Sequence, residues 1–104
     1  MSTWFITRHP GARDWARSVG LRIDRQCAHL DPAEVRTGDT VIGTLPVHLA
    51  AEVCQRGARY LHLSLNVPEN ARGHELDADG MRACKPRLEA YEICRGPGGD
   101  GEDS

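Results

Sequence analysis

A chain of 104 residues fits one domain and can bury one modest core. Its 39% apolar and 27% charged residues are an ordinary globular mixture, and no apolar run approaches the roughly 20 residues that span a bilayer. A net charge of −2 argues against a broad basic face for a long nucleic acid, but the charge is uneven: residues 1–29 hold five Arg and two Asp, while residues 66–104 hold nine acids and five bases. A small anion needs only a local basic pocket, which the N-terminal third can supply. The start, Met1-Ser2-Thr3-Trp4, has neither the basic nor the apolar region of a signal peptide, so the chain is expected in the cytoplasm.

Thr3–Thr7 is aromatic and β-branched and reads as a strand. Gly11–Val19 carries Ala12, Trp15, Ala16 and Val19 at helical spacing, and Gly20 stops it. Residues 21–29 read as a second strand with Leu21, Ile23 and Cys27 inward. Asp31-Pro32-Ala33-Glu34 has the cap and the first-position proline of a one-turn helix. Gly38-Asp39 is a turn, and Thr40–Gly43 a short buried strand. After the loop Gly43-Thr44-Leu45-Pro46, a helix over 47–56 places Val47, Ala50, Val53 and Cys54 on one face, with Gly57 as its stop. Tyr60–Leu65 is a fourth strand with Leu61, Leu63 and Leu65 on one face and His62 opposite, where burial and a hydrogen bond are expected.

Residues 66–76 form a polar loop, and Asp77 is placed to cap a last helix carrying Met81, Cys84, Leu88 and Tyr91. Pro86 must kink or split that helix. Residues 96–104 are Gly-rich and acidic, a tail expected to be disordered, which leaves 1–95 as the domain. The cysteines at 27, 54, 84 and 94 form no C-x-x-C pair and read as small reduced thiols.

The alternation of strands and helices predicts a single α/β domain: a parallel sheet of about four strands in order 2-1-3-4, with helices on both faces. In that order the first and third strands are neighbours whose connections leave in opposite directions, and ligands bind over such a switch point. The loops meeting there are Thr7-Arg8-His9-Pro10-Gly11 and Gly43-Thr44-Leu45-Pro46.

The first of these joins a strand end to a helix start, where backbone N–H groups favour an anion. Arg8 can grip phosphate with its planar fork, and His9 is of the residue type suited to shuttling a proton. Pro10 sets the entry angle of the helix, and Gly11 permits close backbone approach. Thr44 adds a hydroxyl; His48, four residues before Glu52, sits in the next helix's first turn. Arg72, in the 66–76 loop, is a candidate lid residue. No H-E-x-x-H, Walker loop or carboxylate cluster is present, so neither a metal nor another cofactor is expected.

Taken together, Thr7-Arg8-His9-Pro10-Gly11-Ala12, Leu30-Asp31-Pro32, Gly43-Thr44-Leu45-Pro46-Val47-His48-Leu49-Ala50, Tyr60-Leu61-His62-Leu63 and Arg72-Gly73-x-Glu75-Leu76 resemble a stand-alone Csx family of type III CRISPR systems, the sixteenth in its naming series. The resemblance spans residues 3 to 92. It implies a Rossmann-like fold of the CARF type, a homodimer, and ring nuclease activity that cleaves cyclic oligoadenylate without a metal and so switches the antiviral signal off. Cyclic tetra-adenylate is the ring expected. With that substrate, Arg8 is assigned to charge stabilisation, His9 to acid or base work, and Thr44 and His48 to positioning. Thr7, Pro10, Gly11, Gly43, Leu45, Pro46 and Arg72 are assigned to binding. Two other readings stand beside the enzyme: a module that binds cyclic oligoadenylate without cutting it, and a small phosphatase, since Arg8-His9 at a strand end also resembles the histidine phosphatases. In that family a Gly stands where this chain has Pro10.

Overall fold

The computed structural model describes residues 1–66 and 78–97. Strand β1 (Thr3–Ile6) leads to helix α1 (Pro10–Ser18) and the short strand β2 (Arg25–Cys27). A 3-10 turn, Pro32–Glu34, precedes β3 (Thr40–Gly43), α2 (Val47–Gln55) and β4 (Arg59–Ser64). Helix α3 (Ala78–Ala83) and strand β5 (Arg87–Tyr91) follow. The sheet has the order β2-β1-β3-β4-β5; its first four strands are parallel, and β5 joins β4 antiparallel. This is a Rossmann-like α/β arrangement with one strand more than the expected four.

Both faces of the sheet are covered at its centre, so β1 and β3 read as short apolar runs rather than alternating. Trp4, Ile6, Val41 and Tyr60 pack under Ala50 and Val53 of α2, with Leu30, Val35, Leu45 and Ala58 closing that core. Phe5, Ile42 and Leu63 point the other way, against Ala12, Trp15 and Ala16 of α1 and Met81 of α3. The Thr3–Ile6 and Thr40–Gly43 runs are therefore buried from two sides by one helix layer each.

Local chemistry fixes the helix ends. Gly20 adopts φ +82°, and Leu21 N–H bonds the Ala16 carbonyl at 2.9 Å, closing α1 with a Schellman turn. Gly57, at φ +83°, ends α2 in the same way. Asp31 Oδ1 accepts from Ala33 N–H at 3.1 Å, capping the 3-10 turn as its sequence predicts.

Three expectations need correction. Residues 21–29 are not one strand: pairing is confined to 25–27. The chain bends at Asp24, whose Oδ2 accepts from Thr3 N–H at 2.8 Å. Leu21 and Ile23 therefore join the α1 core, whereas Cys27 joins the α2 core. Val47 is 72% exposed rather than inward, and Ala51 is buried in the helix instead. Most consequentially, residues 87–91 form β5, not the end of a helix. Pro86 cannot continue a helix, Lys85 turns the chain at φ +52°, and the open edge of β4 supplies backbone partners. Tyr91 is consequently 48% exposed, while Met81 and Cys84 remain in the core.

The four cysteines are free. No helix among the described residues is long and apolar enough to cross a membrane.

Candidate functional site

Four parallel strands end on one edge, and the segments that leave them line a cleft of about 1010 Å³. Its walls are Ile6–His9 after β1, Ala28–Leu30 after β2, Thr44–Pro46 with Leu49 after β3, and His62–Leu65 at the end of β4. Among the described residues no lining residue is acidic, whereas Arg8, His9, His29 and His62 all belong to the lining. The volume lies at the top of the usual range for small-molecule clefts, about 300–1,000 Å³.

Helices α1 and α2 both begin at this cleft, and neither has an acid in its first turn. Their positive dipole ends thus face it without internal neutralisation. His9 is the N-cap of α1, with extended backbone and Pro10 behind it at the first helical position. Its N–H donates to Thr7 Oγ1 at 3.1 Å, which holds the turn and sets Arg8 at its exposed corner. Arg8 is exposed, belongs to the cleft lining and makes no ion pair among the described residues.

The expected residues do not all reach this surface. Thr7, Arg8, His9, Thr44, Leu45 and Pro46 line it. Thr44 Oγ1 donates to the Leu63 carbonyl at 2.7 Å, so its proton is committed to the backbone and only its lone pairs remain for a ligand. His48 is exposed on α2 but is not among the lining residues. Gly11 is buried within α1. Gly43 serves the cleft from behind: a Cβ there would lie 2.8 Å from the Ile6 carbonyl oxygen, so glycine lets β3 close on β1. Pro10 contributes as the first residue of α1, and Arg72 lies outside the described residues.

Sequence reading missed three participants. His29 sits in the loop after β2, which reaches the cleft because β2 runs parallel to β1. His62 has the predicted strand face but also the strand-end position that exposes it to the cleft. Behind it, the Tyr60 hydroxyl is buried and meets three groups: Leu45 N–H at 3.0 Å, the Gly43 carbonyl at 3.1 Å and His62 Nδ1 at 2.7 Å. Burial pushes the Tyr60 pKa above its ordinary value, against the Leu45 hydrogen bond that lowers it. No three His, Cys, Asp or Glu side chains among the described residues come together as a metal-binding group.

A family model described as "Putative CRISPR-associated protein (Cas_VVA1548)" matches residues 4–94. The chain belongs to this CRISPR-associated family. The matched span runs from β1 past the end of β5 and includes every residue that lines the cleft. No curated protein matches the chain, and no solved structure does.

Proposed function

We propose that the protein is a ring nuclease that opens cyclic oligoadenylate, with cyclic tetra-adenylate as the preferred ring. The observation that carries this reading is the cleft at the sheet's switch point, without an acid among its described lining residues, where Arg8 and His9 stand beside two helix N-termini in a member of a CRISPR-associated family. Such a site suits a compact phosphate-rich ligand better than a long duplex, which needs an extended basic face. A two-fold ring also suits a two-fold dimer, in which two copies of the cleft face one ligand.

The chemistry follows from RNA itself. The ribose 2′-oxygen bonds to the adjacent phosphorus, the P–O5′ bond breaks, and a 2′,3′-cyclic phosphate remains. The protein must hold the 2′-oxygen in line with the leaving oxygen, stabilise the phosphoryl charge and move two protons. Arg8 and the helix N-termini supply the positive potential, and His9 a proton-transfer group. On this reading the protein works in the cytoplasm, as a switch that removes the messenger, and turns over in EDTA.

The test is incubation of the pure protein with cyclic tetra-adenylate in EDTA, followed by chromatography. Linear di-adenylate products are expected. An uncut ring retained on the protein would instead make this a binding module. Phosphate release from a generic monoester, with the ring untouched, would make it a phosphatase.

A further inference from the structure

The Tyr60 hydroxyl has one proton and two acceptor lone pairs, and three partners lie within hydrogen-bond reach. Leu45 N–H can only donate to it, and the Gly43 carbonyl can only accept. If the hydroxyl proton went to His62 Nδ1, two oxygens 3.1 Å apart at Gly43 would face each other in a buried setting with no proton between them. All three contacts are satisfied together only when Tyr60 donates to Gly43 and His62 Nδ1–H donates to Tyr60. We propose that Tyr60 locks His62 in the Nδ1–H form, which presents Nε2 to the cleft as the base that takes the ribose 2′-OH proton.

Several observations support this assignment. Tyr60 keeps its proton through the neutral range, because burial raises its pKa. The His62 ring stands edge-on between Tyr60 and Tyr91, with centroids 5.8 and 5.7 Å away, so its plane is held from two sides. Nε2 has no hydrogen-bond partner among the described residues. The one acid opposite His62 in the β4–β5 register, Glu89, accepts the Ser64 hydroxyl at 2.6 Å. The network also ties His62 to the loop after β3 through Leu45, so this imidazole is positioned by the same backbone that shapes the cleft.

The inference rests on the ring nuclease reading for its substrate and divides the proton work left open there. His62 Nε2 takes the 2′-OH proton as the 2′-oxygen attacks phosphorus. The departing 5′-oxygen takes a proton from His9 in its charged form. Exchange with water then returns His62 to neutral and recharges His9, so no proton is gained or lost over the cycle.

Two measurements test it. The first is the ring ¹⁵N spectrum of the histidine-labelled protein at about pH 8, where an ordinary imidazole is neutral. His62 is expected to carry its proton on Nδ1, and Tyr60→Phe to move it toward Nε2 while circular dichroism confirms the fold. An Nε2–H form in the unsubstituted protein overturns the proposal. The second is single-turnover cleavage by His62→Gln, which retains a donor for Tyr60 but has no basic nitrogen. The rate is expected to fall about 10²–10⁴-fold, the usual value of acid–base help, with ring affinity kept within about threefold. Cleavage by His62→Gln at the unsubstituted rate overturns the proposal and leaves the ring nuclease reading intact. A natural protein that binds but never cuts the ring removes that reading instead, and with it the base role, while the spectrum still locates the proton.

Discussion

Asp39 shows how much one side chain can organise. Its carboxylate is buried and accepts from Ser2 N–H at 2.8 Å, Arg36 N–H at 3.0 Å and Trp4 Nε1 at 3.1 Å. Those donors, the Ser2 and Arg36 backbone groups foremost, hold its pKa below the usual carboxylate value. A folded-state pKa that is depressed contributes stability above the unfolded value and loses it as pH falls through the folded one. Asp39→Asn replaces an acceptor by an NH₂ that faces existing donors. We expect it to destabilise the protein by about 2–4 kcal/mol at neutral pH, judged from charged hydrogen bonds of about 1.5–3 kcal/mol each that do not add fully. Thermal melts should show the difference shrinking below about pH 4, where the natural carboxylate also protonates. A constant difference down to pH 2, an order-of-magnitude acid limit, would rule out the linkage.

At the same scale, Arg8 and His9 should separate in kinetics. On the ring nuclease reading we propose, Arg8 acts on charge, so Arg8→Ala is expected to lower the cleavage rate about 10²–10³-fold, in the manner of a lost oxyanion donor, and to weaken ring binding as well. His9→Ala should lower the rate with binding largely retained, since a proton-transfer group acts in the transition state. Titration calorimetry beside single-turnover rates distinguishes the two patterns. The position of the Arg8-His9 pair at the cleft was legible in sequence because a strand end followed by a proline-started helix marks it. Asp39 was legible only as a turn residue, because its three donors come from two segments apart in sequence.

Among the elements, the contact between β1 and β3 is the tightest constraint on the cleft. Gly43 ends β3 directly opposite Ile6, and an added Cβ would press on the Ile6 carbonyl at 2.8 Å. Gly43→Ala must push the strands apart, at a cost of about 1–3 kcal/mol typical of overpacking. A melting temperature lower by about 4–8 °C per kcal/mol is expected. An unchanged melt would show that the backbone there yields freely. The last element teaches a different lesson. Met81, Cys84, Leu88 and Tyr91 fit a helical spacing, yet Arg87-Leu88-Glu89-Ala90-Tyr91 also alternates as a strand does. Pro86 and the open β4 edge decide between them, and only the first is visible in sequence.

At the scale of the whole molecule, strands from residues 3 to 64 bring four carboxyl-terminal edges together around one cleft. If the ring is held by two copies of that cleft, calorimetry should give about one ring per two chains, with light scattering reporting a dimer. One ring per monomeric chain would refute the paired arrangement and leave the cleft assignment standing.

Sequence by itself determined the parallel order 2-1-3-4, the helix stops at Gly20 and Gly57, and the two loops that meet at the switch point. These follow from local signals: short apolar runs, helical periodicity, caps and left-handed glycines, each carried by a few adjacent residues. Only the tertiary structure decided that the chain after Pro86 adds a fifth strand, that Val47 and His48 stay outside while His29 and His62 line the cleft, and that Tyr60 stands behind His62. The physical reason is that these outcomes depend on partners from other elements. An unpaired edge takes a strand, and a buried hydroxyl must satisfy whatever donors and acceptors the packing brings to it.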